Sequence, residues 1–220
     1  DNYGNILDNP ELLDINYLGL SGEGPNPDNN PDFIHCNAIH YNQDLDQIIL
    51  TSRRANEIYI IDHSTTTEEA MGHSGGIYGK GGDFLYRWGN PRNYHAGLET
   101  DQVLFSPHSA NWVNQNYPGS GNILIFNNGV GLELSDYSSV IEIEPPLNIN
   151  NFYNYEDGTS FLPTSPILNY NNNFSFFSQI QSGAFRLING NTIITVTNQD
   201  LIFEINQENE IVWEYNFSGN

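Results

Sequence analysis

Only six lysines and arginines stand against 27 aspartates and glutamates in this 220-residue sequence, a formal net charge of -21. Nucleic acid and anionic membrane surfaces are recognised by basic faces, so neither is expected as a partner. The scarcity also singles out each cation. In so negative a field it is either paired with a carboxylate or placed to hold an anion. Cysteine is limited to Cys36, which rules out an internal disulfide framework and leaves the redox compartment open. Set between His35 and Asn37 on an alternating strand, Cys36 is expected as a buried structural thiol. No apolar run is long enough to span a bilayer, no leader peptide is evident, and no helical period persists beyond a turn or two. Zinc-ligand spacing, the G-x-S-x-G element, the phosphate-binding loop and the dinucleotide fingerprint are missing, so neither a metal nor a cofactor is expected.

What is present is a repeat, clearest over residues 104–129. A strand opens on a histidine (Pro107-His108-Ser109-Ala110-Asn111-Trp112), a Gly-rich turn follows (Pro118 to Gly121), and an apolar strand runs from Asn122 to Phe126. The same pattern opens at Ile34-His35-Cys36-Asn37-Ala38-Ile39 and at Ser182-Gly183-Ala184-Phe185-Arg186-Leu187. Each copy continues into a third apolar strand (57–62, 139–144, 201–206) and a fourth, more aromatic one (84–88, 167–170, 211–215). Four short strands per unit, repeated, predict an all-β chain of propeller blades. Three blades do not close a ring, so further blades are expected from the same or another chain.

The repeat divides the chain into a loop-rich lead-in (1–30) and blades at 31–91, 92–172 and 173–220. Two long excursions interrupt it, a Gly-rich insertion at 62–83 and a Pro, Asn and Tyr-rich loop at 144–165, and loops of this length are commonly functional. The insertion is expected to expose backbone N–H groups, with His73 and Lys80 beside them as a candidate anion site. The end, Ser218-Gly219-Asn220, reads as frayed. Asn173-Phe174-Ser175 and Asn216-Phe217-Ser218 match the glycosylation sequon.

In a propeller the first strand of each blade lies nearest the axis, so equivalent positions converge. His35 and His108 are such equivalents, and alternation places Asn37 and Ala110 on the same side as their histidines. Arg186 would share that face one pleat deeper, and Arg53, ending its strand, could reach the same mouth. Such a set suits a small oxyanion, sulfate or phosphate. The competing reading makes the histidines hydrogen-bonded packing residues and pairs Arg186 with a carboxylate.

Taken together, Asp32-Phe33-Ile34-His35-Cys36-Asn37-Ala38-Ile39, Thr51-Ser52-Arg53, residues 61–67, Gly79-Lys80-Gly81-Gly82-Asp83, Leu85-Tyr86-Arg87-Trp88-Gly89-Asn90-Pro91, His108-Ser109-Ala110-Asn111-Trp112 and residues 121–129 resemble the bacterial aryl-sulfate sulfotransferases. That resemblance implies a six-bladed propeller, exported to the periplasm or beyond. It implies transfer of a sulfuryl group from a phenolic sulfate ester to a phenol, through a sulfated histidine and without a nucleotide donor. The partners are then small aromatic sulfate esters and phenols. With the axial placement above, His35, His108 and Arg186 are the candidate catalytic residues, and Trp112, Asn127 and Asn128 join Asn37, Arg53, His73 and Lys80 as candidate substrate contacts. In the family the histidines that match His35 and His108 line the site as supporting residues, so the nucleophilic role would have moved to one of them. Two departures stand out: an arginine of the family pattern is Leu132 here, and no histidine follows His108 to serve as nucleophile. The alternative expectation is a catalytically silent extracellular propeller that binds or scaffolds.

Overall fold

The structure, a computed structural model, describes residues 6–14, 32, 34–132 and 136–217. Most of the lead-in, Phe33 of the first motif and the terminal Ser218-Gly219-Asn220, with it the end of the second sequon, lie outside the described residues.

The chain is all-β, with three antiparallel four-stranded sheets, each a meander in sequence order. The first contains β1 (Cys36–Asn42), β2 (Gln47–Ser52), β3 (Glu57–Asp62) and β4 (Phe84–Trp88). The second contains β5 (His108–Trp112), β6 (Ile123–Asn127), β7 (Ser139–Ile143) and β8 (Leu168–Tyr170), and the third β9 (Gly183–Arg186), β10 (Thr192–Val196), β11 (Leu201–Ile205) and β12 (Ile211–Asn216). β-Branched and aromatic runs form the strands, and residues that tolerate a left-handed backbone turn them, among them Asp46 (φ 49°), Asn56 (φ 58°) and Asn209 (φ 65°). The only α-helix among the described residues is a single turn, α1 (Thr67–Ala70), closed by a Thr66–Glu69 capping box inside the Gly-rich insertion.

The chain forms two compact units, one from residues 1–104 and 146–164, the other from 105–145 and 165–220. In the first unit, the buried centre is an ion pair. Arg87 meets Glu57 through Nε (2.9 Å) and Nη2 (2.6 Å), with neither side chain exposed to solvent. Its Nη1 donates to the carbonyls of Pro10 and Leu12, and its guanidinium lies 4.4 Å from the Tyr94 ring centroid. Each nitrogen of the buried guanidinium is thus answered, the condition under which such a charge is tolerated. The same contacts tie the described part of the lead-in to β4, where the Phe84 N–H also donates to the Glu11 carbonyl.

Residues 146–164, the excursion between β7 and β8, belong to this first unit. Tyr153 stacks on Tyr86 and donates to Gln47 (2.7 Å), Phe161 meets Tyr86 and Tyr94 edge-on, and the carbonyls of Leu162 and Pro163 accept from Tyr86 and Trp88. The loop therefore supplies a lid of aromatic rings to the face of the first sheet that carries Tyr86 and Trp88.

In the second unit, the second and third sheets pack face to face. Leu124, Phe126, Val140 and Tyr170 of one meet Ala184, Ile194, Val196, Phe203 and Ile205 of the other. One charged bridge crosses this apolar interface. Arg186 of β9 pairs with Glu142 of β7, whose other oxygen accepts from Asn122 (2.7 Å).

Two expectations are corrected here. Simple alternation fails at both histidine motifs because each carries a β-bulge: Cys36 pairs with Ser52 but Ala38 with Thr51, and His108 pairs with Phe126 but Asn111 with Leu124. The extra residue breaks the two-residue period, so Asn37 and Ala110 do not follow their histidines by that rule. Cys36 is exposed rather than buried, because β1 is an edge strand; partial desolvation still raises its thiol pKa.

Candidate functional site

The first unit brings His35 and Arg53 to one end of the first sheet. His35 precedes β1 with φ 49°, Arg53 follows β2, and the Arg53 N–H donates to the His35 carbonyl (3.1 Å). The Ser52 hydroxyl, bonded to the Ile34 carbonyl (2.6 Å), pins the same crossing. Asp32 holds His35 Nδ1, and that hydrogen bond, more than any other cause, depresses the Asp32 carboxyl pKa. With Nδ1 turned to a carboxylate, the neutral form of the ring carries its lone pair on Nε2. Among the described residues Nε2 has no partner, and the ring is 39% exposed.

Arg53 is distinguished by what it lacks. The other five cations each meet a carboxylate: Arg54 with Asp32 (3.6 Å), Lys80 with Glu11 (3.3 Å), Arg87 with Glu57, Arg92 with Glu99 (3.8 Å) and Arg186 with Glu142. Among the described residues, the Arg53 guanidinium alone has no hydrogen-bond or ion-pair partner. Partial burial and the neighbouring Arg54 lower its pKa, against a weaker pull from Asp32. Asn37, the bulge residue, stands beside this end of β1.

His73 and Lys80 occupy a different setting. His73 Nδ1 bonds Asp83 (2.7 Å) and Lys80 bonds Glu11. The N–H groups expected to be exposed by the Gly-rich insertion are largely spent internally. Ile77 donates to Ser64, Tyr78 to Asp62, Gly79 to Gly76, Gly81 to Gly75 and Gly82 to Gly72. The expectation of an open N–H cradle is thus corrected: the loop already encloses its own carboxylates, Asp62 and Glu69, a fit that Gly75 and Gly76 permit by having no Cβ there.

In the second unit His108 opens β5 and is 8% exposed. Its Nδ1 faces Asn128 Oδ1 (2.7 Å), and its Nε2 accepts from the Gln181 N–H (3.2 Å). Asn128 fixes the assignment, because its Nδ2 donates to the carbonyls of Ser178 (2.8 Å) and Gln181 (3.1 Å), leaving only its oxygen for the ring. His108 is therefore a neutral, Nδ1-protonated imidazole with both nitrogens engaged. Asn127 accepts from the Phe105 N–H (2.6 Å), and Trp112 is 4% exposed at the end of β5. Arg186 is held by Glu142 and donates to the Gly190 carbonyl (3.2 Å).

The ten sequence-selected residues thus separate by their freedom to react. His35 and Arg53 keep unspent groups at one sheet end. His108, Asn127, Asn128 and Trp112 are built into the second unit, Lys80 and Arg186 are charge-paired, His73 is bonded to Asp83, and Asn37 occupies the β1 bulge. A cavity of about 150 Å³ in the first unit, lined by residues such as Trp88, Tyr94, Asp101 and Phe161, includes none of the ten. Sequence reading missed Asp32 as the partner of His35, although a carboxylate three residues before a histidine was the available signal.

A family model described as Arylsulfotransferase (ASST) matches residues 2–196. No curated protein matches the chain significantly. Among solved structures, Hsv2 of Kluyveromyces lactis is 12% identical with a TM-score of 0.43, covering 81% of this chain and 47% of its own. A streptogramin B lyase is 12% identical with a TM-score of 0.38 and coverages of 84% and 55%. A protein of unknown function from Bacteroides caccae is 14% identical with a TM-score of 0.35 and coverages of 82% and 60%. The chain spans about half the length of these solved chains.

Proposed function

Because this chain belongs to the arylsulfotransferase family, we propose that it moves a sulfuryl group from a phenolic sulfate ester to a phenol, without a nucleotide donor, at the His35–Arg53 end of the first sheet. The observation that carries this reading is the Arg53 guanidinium, which among the described residues meets no carboxylate in a chain of net charge -21, beside a histidine whose Nε2 has no partner among those residues. A sulfate ester is an anion with three acceptor oxygens, and a guanidinium fork suits it. His35 Nε2 attacks sulfur, the bond from sulfur to the aryl oxygen breaks, and the departing phenolate takes a proton from solvent. The acceptor phenol oxygen then attacks the sulfur of sulfo-His35, the S–N bond breaks, and the phenolic proton returns to solvent. Asp32 steadies the cationic imidazole formed in between. The transition state is loose, so positioning and charge neutralisation by Arg53 supply most of the acceleration. His108 serves as a brace in this scheme, since a ring with both nitrogens engaged is unavailable for attack.

In this reading the three meanders are consecutive blades of a six-bladed propeller, completed by further blades and exported from the cytoplasm. A second reading, a silent binding or scaffolding propeller, is favoured by Leu132 standing in place of the family arginine.

The test is acceptor-dependent release of nitrophenol from nitrophenyl sulfate, with the sulfated acceptor identified by mass. We expect His35→Ala to abolish transfer, and Arg53→Ala to raise KM for the ester about 10- to 100-fold, the worth of a charge-assisted hydrogen bond. No transfer by folded native protein, or full transfer by folded His35→Ala, sinks this assignment; the first result leaves the silent module.

A further inference from the structure

The third sheet repeats the second, position for position, on a face whose large side chains stand open to solvent. In the second sheet, Leu124 pairs with Glu142 and Phe126 with Val140, and this face is buried against the third sheet. In the third sheet, Ile193 pairs with Glu204 and Thr195 with Ile202, so Glu204 holds the place of Glu142 and Ile202 that of Val140. The outer strand completes the face: Glu204 pairs with Trp213 and Ile202 with Tyr215. Trp213 is 46% exposed, Phe185 48% and Phe217 43%, and the rings of Trp213, Tyr215 and Phe217 stack in a row along β12. Such an apolar row on a solvent-facing strand is costly unless covered.

The polar detail repeats as well. Asn122 donates to Glu142 Oε1 at 2.7 Å, and Asn191 donates to Glu204 Oε1 at 2.6 Å. At Glu142 the second oxygen receives Arg186 from the first strand of the next sheet. At Glu204 the second oxygen has no partner among the described residues. The carboxylate is thus oriented by the same amide, with the arginine's place open.

We propose that this face is an interaction surface for one kind of partner: a further four-stranded sheet of the same repeat, whose first strand sets an arginine on Glu204 as Arg186 is set on Glu142. A second copy of this chain is a poorer occupant. Its strand arginines, Arg87 and Arg186, are already paired, and each copy brings the same acidic charge. The inference deepens the propeller reading by naming the contact that joins the next blade, and it is independent of the sulfuryl chemistry.

The test extends the 220-residue chain at its C-terminus by a second copy of residues 171–217, with the added tryptophan changed to phenylalanine. Trp88 and Trp112 are each 4% exposed, so acrylamide quenching reads Trp213. We expect quenching to fall severalfold on extension and to recover when Glu204→Gln or the added arginine→Met is introduced. Protection that survives both changes overturns the arginine contact and leaves the continued sheet standing. Unchanged quenching overturns the surface altogether. In the unextended chain, Glu142→Gln should lower the urea midpoint while Glu204→Gln leaves it unchanged; equal losses would show Glu204 already engaged and overturn the proposal even if the extended chain failed to fold. A dimeric unextended chain with protected Trp213 would assign the face to a second copy instead.

Discussion

A side chain's use here is set by whether the fold has already consumed its polar groups. His35 and His108 look alike in sequence, each opening a first strand. Among the described residues, Asp32 engages one ring nitrogen of His35, whereas Asn128 and the Gln181 N–H between them engage both ring nitrogens of His108. His108→Ala should therefore behave as a stability variant, losing about 2–3 kcal/mol because buried Asn128 and the Gln181 N–H are left unsatisfied, read by urea unfolding. Tyr170 shows the converse case. Its hydroxyl is buried in the apolar interface of the second unit and has no hydrogen-bond partner among the described residues. Tyr170→Phe should raise stability by up to about 1–2 kcal/mol, and an unchanged or lower melting temperature would contradict that account. The Asp32–His35 contact sets a pH window. A carboxyl depressed in the folded protein contributes stability above its unfolded pKa and loses it as pH falls through the folded value. A carboxyl-carbon NMR titration should therefore find Asp32 still ionised below the usual aspartate range, and His35→Asn should move its midpoint upward.

At the scale of elements, the strands were legible because their pattern is local. All twelve expected strands are present, with ends shifted by up to three residues, since β-branched runs between turn residues need no tertiary help to be recognised. The candidate site was legible in residue type at His35 and Arg53. Its sorting was not, because the bulges that defeat alternation and the partners that consume His108, Asn127 and Asn128 come from chain segments remote in sequence. The Glu57–Arg87 pair was hidden for the same reason, its two halves lying on different strands with the lead-in carbonyls between them and solvent. One glycine is decisive for an element. Gly129, with φ 75°, would place a Cβ 1.7 Å from the Tyr137 carbonyl oxygen. Gly129→Ala should cost about 2 kcal/mol or more in urea unfolding, from the left-handed backbone and the clash together.

For the whole molecule the governing property is charge. A net charge of -21 on 220 residues opposes compaction through self-repulsion, and salt relieves it. Raising sodium chloride from about 0.01 to about 1 M, which shortens the Debye length from roughly 30 to roughly 3 Å, should raise the melting temperature; a flat response would mean that the acidic groups are already well separated. The excursion at 146–164 bears on a different property, the order in which the protein can be made. The first sheet is complete once Trp88 has left the ribosome, but the rings that cover it, Tyr153 and Phe161, follow only after most of the second sheet's strands. At about 5–20 residues per second, the nascent first sheet waits several seconds with its aromatic face bare. It is in that interval that a chaperone would find its binding site.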